Sequence, residues 1–98
     1  KTYYVYILLC SDSSYYTGIT NNIDKRIKEH NHSLNKTSYT YSRRPVKLVY
    51  KESFQSPNDA ILWEKRIKGW SRKKKEALIN GDFEELKRLS NLKNMMSS

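Results

Sequence analysis

Five polar side chains in this sequence have the types that cleavage of a phosphodiester bond requires. Tyr6 and Tyr16 lie in two apolar runs, Arg26 and His30 lie one helical turn apart, and Glu64 follows much later. A guanidinium can neutralise the charge that develops on a pentavalent phosphorus, and a carboxylate can bind a hard cation such as Mg²⁺. A phenol or an imidazole can orient or deprotonate the attacking water. This combination predicts an active site directed at phosphate.

The charged residues of the first predicted helix lie on the side that should face the core. Ile23, Arg26, Ile27 and His30 stand at positions i, i+3, i+4 and i+7, which is the spacing of an apolar stripe. An Arg buried without a partner costs several kcal/mol at least. A purely structural alternative is an internal salt bridge from Arg26 to a carboxylate, with His30 bonded to the backbone.

Glu64 repeats this anomaly on the second predicted helix. It stands four residues after Ala60 and three before Ile67, on the inward face. Its carboxylate would be either the partner of Arg26 or an oxygen ligand for a hard cation. The two interpretations are compatible, because one carboxylate can serve both.

The two tyrosines can act together only if they lie on the same face of a sheet. Tyr6 and Tyr16 share a face if the loop between their strands has an odd number of residues, such as Asp12-Ser13-Ser14. Gly18, inside the second strand, predicts either a bulge or a close approach of another group to the backbone. A single tyrosine in a strand more often packs than reacts, so the interest lies in the set.

Periodicity and turn signals predict an α+β domain in which a three-stranded antiparallel sheet is flanked by helices. The order is β-β-α-β-α-α with a short C-terminal helix. The first strand is apolar on both faces, which predicts a central, buried position. Asn21 is the expected cap of the first helix. The predicted strands cover 2–10, 15–20 and 46–51. The first helix is expected to end near His30 and to be followed by a loop over residues 31–44. The later helices are expected to begin after Ser56, Ser71 and Asp82.

The bulk properties point to one small basic protein. The chain has 98 residues, a formal net charge of +9 and a single cysteine, Cys10. The charge favours nucleic acid as a partner over a protein that is merely basic. One Cys and two His are too few for an ordinary zinc site, and no disulfide can form within the chain. No apolar stretch has the length of a membrane span and no signal peptide is visible, so a cytoplasmic location is expected.

A run of cations predicts where the nucleic acid would lie. Seven lysines and arginines fall within residues 65–75, more than a solvated helix face usually carries. The loop tyrosines Tyr39 and Tyr41 would stack on bases or fold back onto the sheet. Because nothing resembles a base-reading module, sequence specificity should be low. The candidate contacts are Lys36, Arg43, Arg44, Lys65, Lys68, Arg72, Lys73, Lys74 and Lys75.

The ordered set of motifs resembles the GIY-YIG nuclease superfamily, and in particular its small single-domain bacterial members. Tyr4-Val5-Tyr6 stands at the first motif and Tyr16-Thr17-Gly18 at the second. Residues 18–30 resemble the helix that follows, 43–50 the next strand, and 60–78 the acidic helix and its basic successor. The likeness covers about residues 3–80.

This resemblance implies a nuclease site on a GIY-YIG-like domain of residues 1–80, followed by a short helix and tail at 81–98. Tyr6, Tyr16 and Arg26 match the catalytic residues of the family, His30 matches a histidine of some branches, and Glu64 matches the metal-binding glutamate. Family enzymes cut phosphodiester bonds in DNA with one divalent metal, here Mg²⁺ or Mn²⁺. DNA is therefore the expected partner, ahead of RNA.

The departures from the family pattern keep two other functions open. Tyr4 replaces a Gly, Thr17 replaces an Ile, and Glu76 stands where many family enzymes have Asn. Catalytic members usually carry a further domain that finds the DNA, so a protein partner would have to supply targeting here. The alternatives are a catalytically weak or inactive nucleic-acid-binding module, and an interaction protein in which Arg26 and Glu64 form only a structural pair.

Overall fold

The fold is α+β with a three-stranded antiparallel sheet, as the sequence predicts. In the computed structural model, residues 1–32 and 38–96 are described, with the backbone alone for 91–96; the predicted contact Lys36 lies outside them. The strands are β1 (Tyr3–Leu9), β2 (Tyr15–Thr20) and β3 (Lys47–Phe54), and the helices are α1 (Ile23–His32), α2 (Pro57–Lys68), α3 (Arg72–Ile79) and α4 (Phe83–Met96), with a short 3₁₀ helix at Tyr41–Arg43.

The chain forms two compact units, Lys1–Lys68 and Gly69–Ser98. The first unit contains the sheet, α1 and α2, and it holds all five predicted catalytic and metal-binding residues. The second unit contains α3 and α4, which pack against each other. The predicted boundary between residues 80 and 81 stays a prediction.

The strand β1 is the centre of the first unit. The sheet order is β2-β1-β3, and α2 contacts all three strands. Val5, Tyr6, Ile7 and Leu8 are completely buried, because a central strand covered on both faces has no solvent side. The prediction of a central, doubly buried first strand is confirmed.

The β1–β2 register brings the two motif tyrosines to one face. Tyr6 is opposite Gly18 and Tyr16 is opposite Leu8. The bond from the Cys10 amide to the Ser14 carbonyl, 2.9 Å, closes a three-residue loop over 11–13. The loop therefore begins one residue earlier than Asp12-Ser13-Ser14, but it has the odd number of residues that a shared face needs. Its last residue, Ser13, adopts the left-handed conformation with φ 68°, as three-residue hairpin loops require.

Gly18 allows a close approach and does not form a bulge. A Cβ atom at this position would lie 2.4 Å from the Tyr6 hydroxyl oxygen, so only glycine lets the phenol cross β2 here. The β1–β2 pairing is regular through this point. The irregularity of the sheet lies instead between Ile7 and Leu8, where β1 pairs with β3. The bulge expected as one option at Gly18 is therefore wrong.

Helix starts agree with the capping signals except at α1. The Ser71 and Asp82 side chains accept bonds from the amides of Lys74 and Glu85, at 3.2 and 3.1 Å. At α1 the cap is Asn22, whose Oδ1 accepts from the Lys25 amide at 3.1 Å, and not Asn21. Both asparagines are good caps, so sequence alone did not separate them. Within the described residues, no helix is both long enough and apolar enough to cross a membrane.

Candidate active site

The apolar side of α1 fixes one wall of the site. Ile23 is buried and Ile27 is partly buried in the same cluster as Tyr6 and Tyr16, so these two isoleucines hold the helix on the sheet face that carries the tyrosines. Arg26 and His30 alternate with them along α1. The helix thus places a guanidinium and an imidazole beside the two phenols.

Tyr6 and Tyr16 have different surroundings. Their ring centroids are 6.4 Å apart, but Tyr6 is completely buried whereas Tyr16 is partly exposed. Burial raises the pKa of Tyr6 to about 12; Tyr16 and Glu64 raise it as well, and a hydrogen bond and the charge of Arg26 oppose them. Tyr6 is therefore a protonated hydrogen-bond donor near neutral pH, and Tyr16 is the phenol that water can reach.

His30 lies between a phenol and a hydroxyl. Its Nε2 is 3.1 Å from the Tyr6 hydroxyl oxygen, and its Nδ1 is 2.9 Å from Oγ1 of Thr40. Its ring also meets the Tyr16 ring edge-on, with centroids 5.0 Å apart. Burial lowers the pKa of His30, the charge of Arg26 lowers it further, and Glu29 opposes both. His30 is thus a neutral imidazole with its two nitrogens held by side chains, rather than by the backbone.

Arg26 lies at the edge of the core, with 41% of its side chain exposed. Its Nε donates to Oε1 of Glu29 at 3.2 Å, and its Nη1 donates to the Ile19 carbonyl at 3.5 Å. Its charge also acts on the Tyr6 hydroxyl, where it opposes the rise in pKa. The Arg26–Glu64 pair that the sequence left open is replaced by the local pair Arg26–Glu29. The guanidinium therefore keeps an exposed side that an anion can approach.

Glu64 is the only one of the five that comes from α2. Its side chain is 15% exposed, and Oε2 is 3.5 Å from Nζ of Lys68. Its charge is one of the smaller influences on Tyr6, where it raises the pKa of the hydroxyl. The part of the chain whose side chains are described contains no cluster of three or more acidic, histidine or cysteine side chains suited to a metal. A single carboxylate nevertheless fits Mg²⁺, which commonly binds one or two carboxylates plus substrate phosphate and keeps several waters.

A cavity of about 240 Å³ opens beside Arg26 and His30. Glu29, Ser38 and Thr40 complete its lining. The Ser38 hydroxyl is buried and has no hydrogen-bond partner among the residues that the structure describes. This polar cavity, with a guanidinium on its wall, can accept an anionic group or ordered water.

Arg43 and Arg44 stabilise the loop segment whose Tyr39 contacts Tyr16. Nε of Arg43 is 3.0 Å from Oδ2 of Asp12, and its guanidinium carbon lies 4.0 Å from the centre of the Tyr39 ring. The Tyr39 ring in turn lies 5.8 Å from that of Tyr16, so Tyr39 folds back towards β2 while staying 43% exposed. Arg44 stacks on Tyr41 at 4.4 Å. The contact of Arg43 and Arg44 with nucleic acid stays a prediction.

The other predicted contacts are divided between the two units. In the first unit Lys65 is exposed and Lys68 pairs with Glu64. In the second unit Lys73 is exposed, and burial lowers the pKa of Lys75. Two other side chains have partners in that unit: Arg72 pairs with Glu76 at 3.3 Å, and Nζ of Lys74 lies 4.4 Å from the centre of the Trp70 ring.

Sequence reasoning missed two residues that position the site, Thr40 and Asn31. Thr40 is 1% exposed and contacts His30. The Asn31 side chain accepts from the Val46 amide at 2.8 Å and donates to the Val46 carbonyl at 3.3 Å, which joins α1 to the start of β3. Both lie in a stretch without periodicity, so no pattern in the sequence distinguished them from ordinary polar loop residues.

The family profile described as the GIY-YIG catalytic domain matches residues 2–77 of this chain. The UPF0213 protein BH0048 of Halalkalibacterium halodurans is 44% identical over 91 residues, which are 90% of this chain and 96% of that protein. The UPF0213 protein CPE1444 of Clostridium perfringens is 51% identical over 77 residues, 79% of this chain and 82% of that protein.

Two solved structures are similar as well. The solution NMR structure of the UPF0213 protein BH0048 has a TM-score of 0.54 at 43% identity and covers 92% of this chain and 98% of its own. That of the protein EF2693 from E. faecalis has a TM-score of 0.61 at 34% identity and covers 85% of this chain and 88% of its own. The profile match over most of the chain and these relatives show that the chain belongs to the GIY-YIG family, among the UPF0213 proteins.

Proposed function

We propose that this protein is a metal-dependent endonuclease that cuts phosphodiester bonds in DNA and selects its substrate by structure rather than by sequence. The observation that carries this proposal is the convergence of Tyr6, Tyr16, Arg26 and His30, which come from two strands and one helix, into one set of contacts. A fold can be stable without such a cluster, whereas phosphoryl transfer depends on positioned donors and charges.

Each side chain has a role that its surroundings permit. Arg26 stabilises the charge of the transition state, because its exposed side can approach a phosphate oxygen. Tyr16 orients the attacking water, because it is the phenol that solvent reaches. Tyr6 is a positioning residue that holds His30, and the neutral His30 assists proton transfer.

Glu64 is the proposed ligand of a single Mg²⁺ or Mn²⁺ ion. Such an ion would supply charge neutralisation on the phosphate and a lower pKa for a bound water. Lys68, whose Nζ is 3.5 Å from the carboxylate, balances the charge of Glu64 when it carries no ion.

We infer the class of substrate from the net charge of the chain and from a sequence in which nothing resembles a base-reading module. A net charge of +9 favours a polyanion, and the exposed Lys65 and Lys73 offer phosphate contacts in the two units. Phosphate contacts alone carry no sequence information, so branched, flap or single-stranded DNA is the expected substrate class. We propose that the protein cleaves DNA in the cytoplasm and that a protein partner supplies targeting.

The test is cleavage of end-labelled branched, flap and single-stranded DNA, and of RNA of matched shape, by the purified chain with Mg²⁺ or Mn²⁺. We expect cleavage with metal, none with chelator, and a loss of at least about 10²-fold in Glu64→Gln. Glu84→Gln on α4, which removes the same charge from an exposed site, is the matched control and should cleave normally.

Two results would contradict the proposal. Cleavage that survives Glu64→Gln would show that Glu64 is not the metal ligand. Salt-sensitive DNA binding without cleavage of any substrate, unchanged by Glu64→Gln and by chelator, would favour the inactive binding module instead.

A further inference from the structure

His30 has both ring nitrogens occupied by hydroxyl groups of the first unit. The Tyr6 hydroxyl lies 3.1 Å from Nε2, and the Thr40 hydroxyl lies 2.9 Å from Nδ1. Tyr6 is 0% and Thr40 1% exposed, so both of these side chains are shielded from bulk solvent. A neutral imidazole donates from one nitrogen and accepts at the other, so the two bonds must run in the same direction along the ring.

Arg26 determines that direction. Its guanidinium is always protonated and has only donors, and its charge acts on the Tyr6 hydroxyl. Next to this cation the Tyr6 hydroxyl turns its oxygen towards the positive charge and its proton away from it, so it donates to Nε2 of His30, 3.1 Å away. The proton of the neutral imidazole is then on Nδ1, where the acceptor within reach is Oγ1 of Thr40.

We infer that Thr40 is a positioning residue that fixes His30 in the tautomer with the proton on Nδ1, leaving the Nε2 lone pair directed at Tyr6. The hydrogen bonds run from Tyr6 to His30 and from His30 to Thr40, with the charge of Arg26 acting on the Tyr6 end. With this tautomer the basic nitrogen faces the phenols, and with the opposite one it would face Thr40 at the other end of the ring. Thr40 thus stabilises the tautomer that Arg26 favours, because its hydroxyl is the acceptor for the Nδ1 proton.

The position of Thr40 does not depend on α1 alone. Its carbonyl accepts from the Arg43 amide at 3.1 Å, and the Arg43 carbonyl accepts from the Ser11 amide at 2.8 Å. The Arg43 side chain pairs with Asp12 in the same β1–β2 turn. The hairpin that carries Tyr6 and Tyr16 therefore also anchors the acceptor for His30, which keeps these groups in register.

The catalytic meaning of this inference rests on the proposed nuclease function, but the tautomer can be measured without substrate or metal. The primary experiment is a long-range ¹H–¹⁵N correlation spectrum of the imidazoles of the free, full-length protein at neutral pH, with His30 assigned by its loss in His30→Gln. We expect His30 to show a protonated Nδ1 and an unprotonated Nε2. A protonated Nε2 with an unprotonated Nδ1 would overturn the inference.

Thr40→Val and Thr40→Ser separate the hydroxyl from the volume of the side chain. In Thr40→Val, which keeps the shape but removes the acceptor, the two ¹⁵N shifts of His30 should move towards each other as the other tautomer becomes populated. Thr40→Ser should restore the wild-type shifts. Wild-type shifts in the valine variant would contradict the role of Thr40, and the wild-type spectrum decides the tautomer even if that variant does not fold.

The same pair of variants distinguishes this inference from the proposed function. If the chain cleaves DNA, Thr40→Val should lower kcat by about tenfold or more with little change in KM, and Thr40→Ser should recover most of it. If the wild type does not cleave, the nuclease proposal fails while the spectrum still decides the tautomer. A valine variant with altered tautomer and unchanged kcat would overturn the catalytic role of Thr40.

Discussion

At the scale of single residues, the two motif tyrosines differ in burial, and this difference suits them to different roles. Both are phenols on one face of the β1–β2 hairpin. Tyr6 is buried against Gly18 and α1 and keeps its proton. Tyr16 contacts Tyr39 and stays partly exposed to solvent. Water activation by a free Tyr6 phenolate is therefore costly, because burial opposes the charged form.

The pKa of His30 gives a prediction of pH dependence. Burial and the charge of Arg26 place it below the ordinary value of 6.5, so the unfolded chain binds more protons than the folded chain just below pH 6.5. The contribution of the neutral His30 to the free energy of unfolding is complete above pH 6.5. It is lost as the pH falls through the pKa that His30 has in the folded protein. Cleavage should follow the same window, because only the neutral imidazole accepts a proton.

The measurement is an NMR titration of the His30 ring in the free protein, compared with the pH profile of kcat. We expect a pKa below 6.5 and a loss of activity on the acid side only. A pKa at or above 6.5 would show that the buried ring does not resist protonation, and the assignment of His30 as the neutral partner of Tyr6 would fail.

At the scale of elements, one side chain joins the end of α1 to the start of β3. Asn31 bonds both the amide and the carbonyl of Val46, a residue of the core cluster around Tyr6. This bridge keeps the last turn of α1, and with it His30, against the sheet. A side-chain amide that replaces a strand partner in this way is costly to remove, because both backbone groups of Val46 lose their bond.

We predict that Asn31→Ala lowers the free energy of unfolding by about 1–3 kcal/mol, the cost of leaving partly buried polar groups unpaired. The matched control is Asn21→Ala, at an exposed position just before α1, which should change stability by about 0.5 kcal/mol at most. Urea unfolding of the three proteins measures both values. Equal losses in the two variants would mean that the Asn31 bridge does not hold the helix.

The elements also show how much of the site is visible in the sequence. The central strand, the hairpin register and the later caps follow from local rules: apolar residues on both faces, an odd loop, and Ser or Asp before a helix. These rules bring Tyr6 and Tyr16 to one face. The inward stripe of α1 likewise placed His30 beside them.

What the sequence did not show depends on contacts between distant segments. Thr40 reaches His30, Asn31 reaches Val46, and Arg43 reaches Asp12 across 31 residues of chain. None of these pairs has a period, and each residue type is common in loops. The misplaced cap at Asn21 has a different reason, because two adjacent asparagines satisfy the same local rule.

At the scale of the whole molecule, positive charge is present in both compact units and should govern affinity for nucleic acid. If the proposed DNA contacts form, exposed lysines such as Lys65 and Lys73 would each displace a counterion. Several of the other cations already have a partner within the chain, such as Lys68 with Glu64 and Arg72 with Glu76. The number of phosphate contacts should therefore be smaller than the number of cations.

We predict that Lys73→Gln reduces the slope of log K against log salt concentration by about one, the signature of one lost phosphate contact. Lys51→Gln, which removes the same charge from an exposed position on β3, should leave the slope unchanged. Fluorescence anisotropy with labelled DNA at several salt concentrations measures both. Identical changes in the two variants would mean that net charge, and not a defined contact, sets the affinity.

The most direct test of the central claim is a Mn²⁺ titration of the ¹⁵N-labelled free protein, followed by paramagnetic line broadening. We predict that sub-stoichiometric Mn²⁺ broadens the signals of Glu64 and of Tyr6, on which its charge acts, before those of other carboxylates. Glu64→Gln should abolish this effect, whereas Glu84→Gln should not. Broadening centred on other carboxylates, or the same broadening in Glu64→Gln, would contradict a metal-dependent phosphodiester site at these residues.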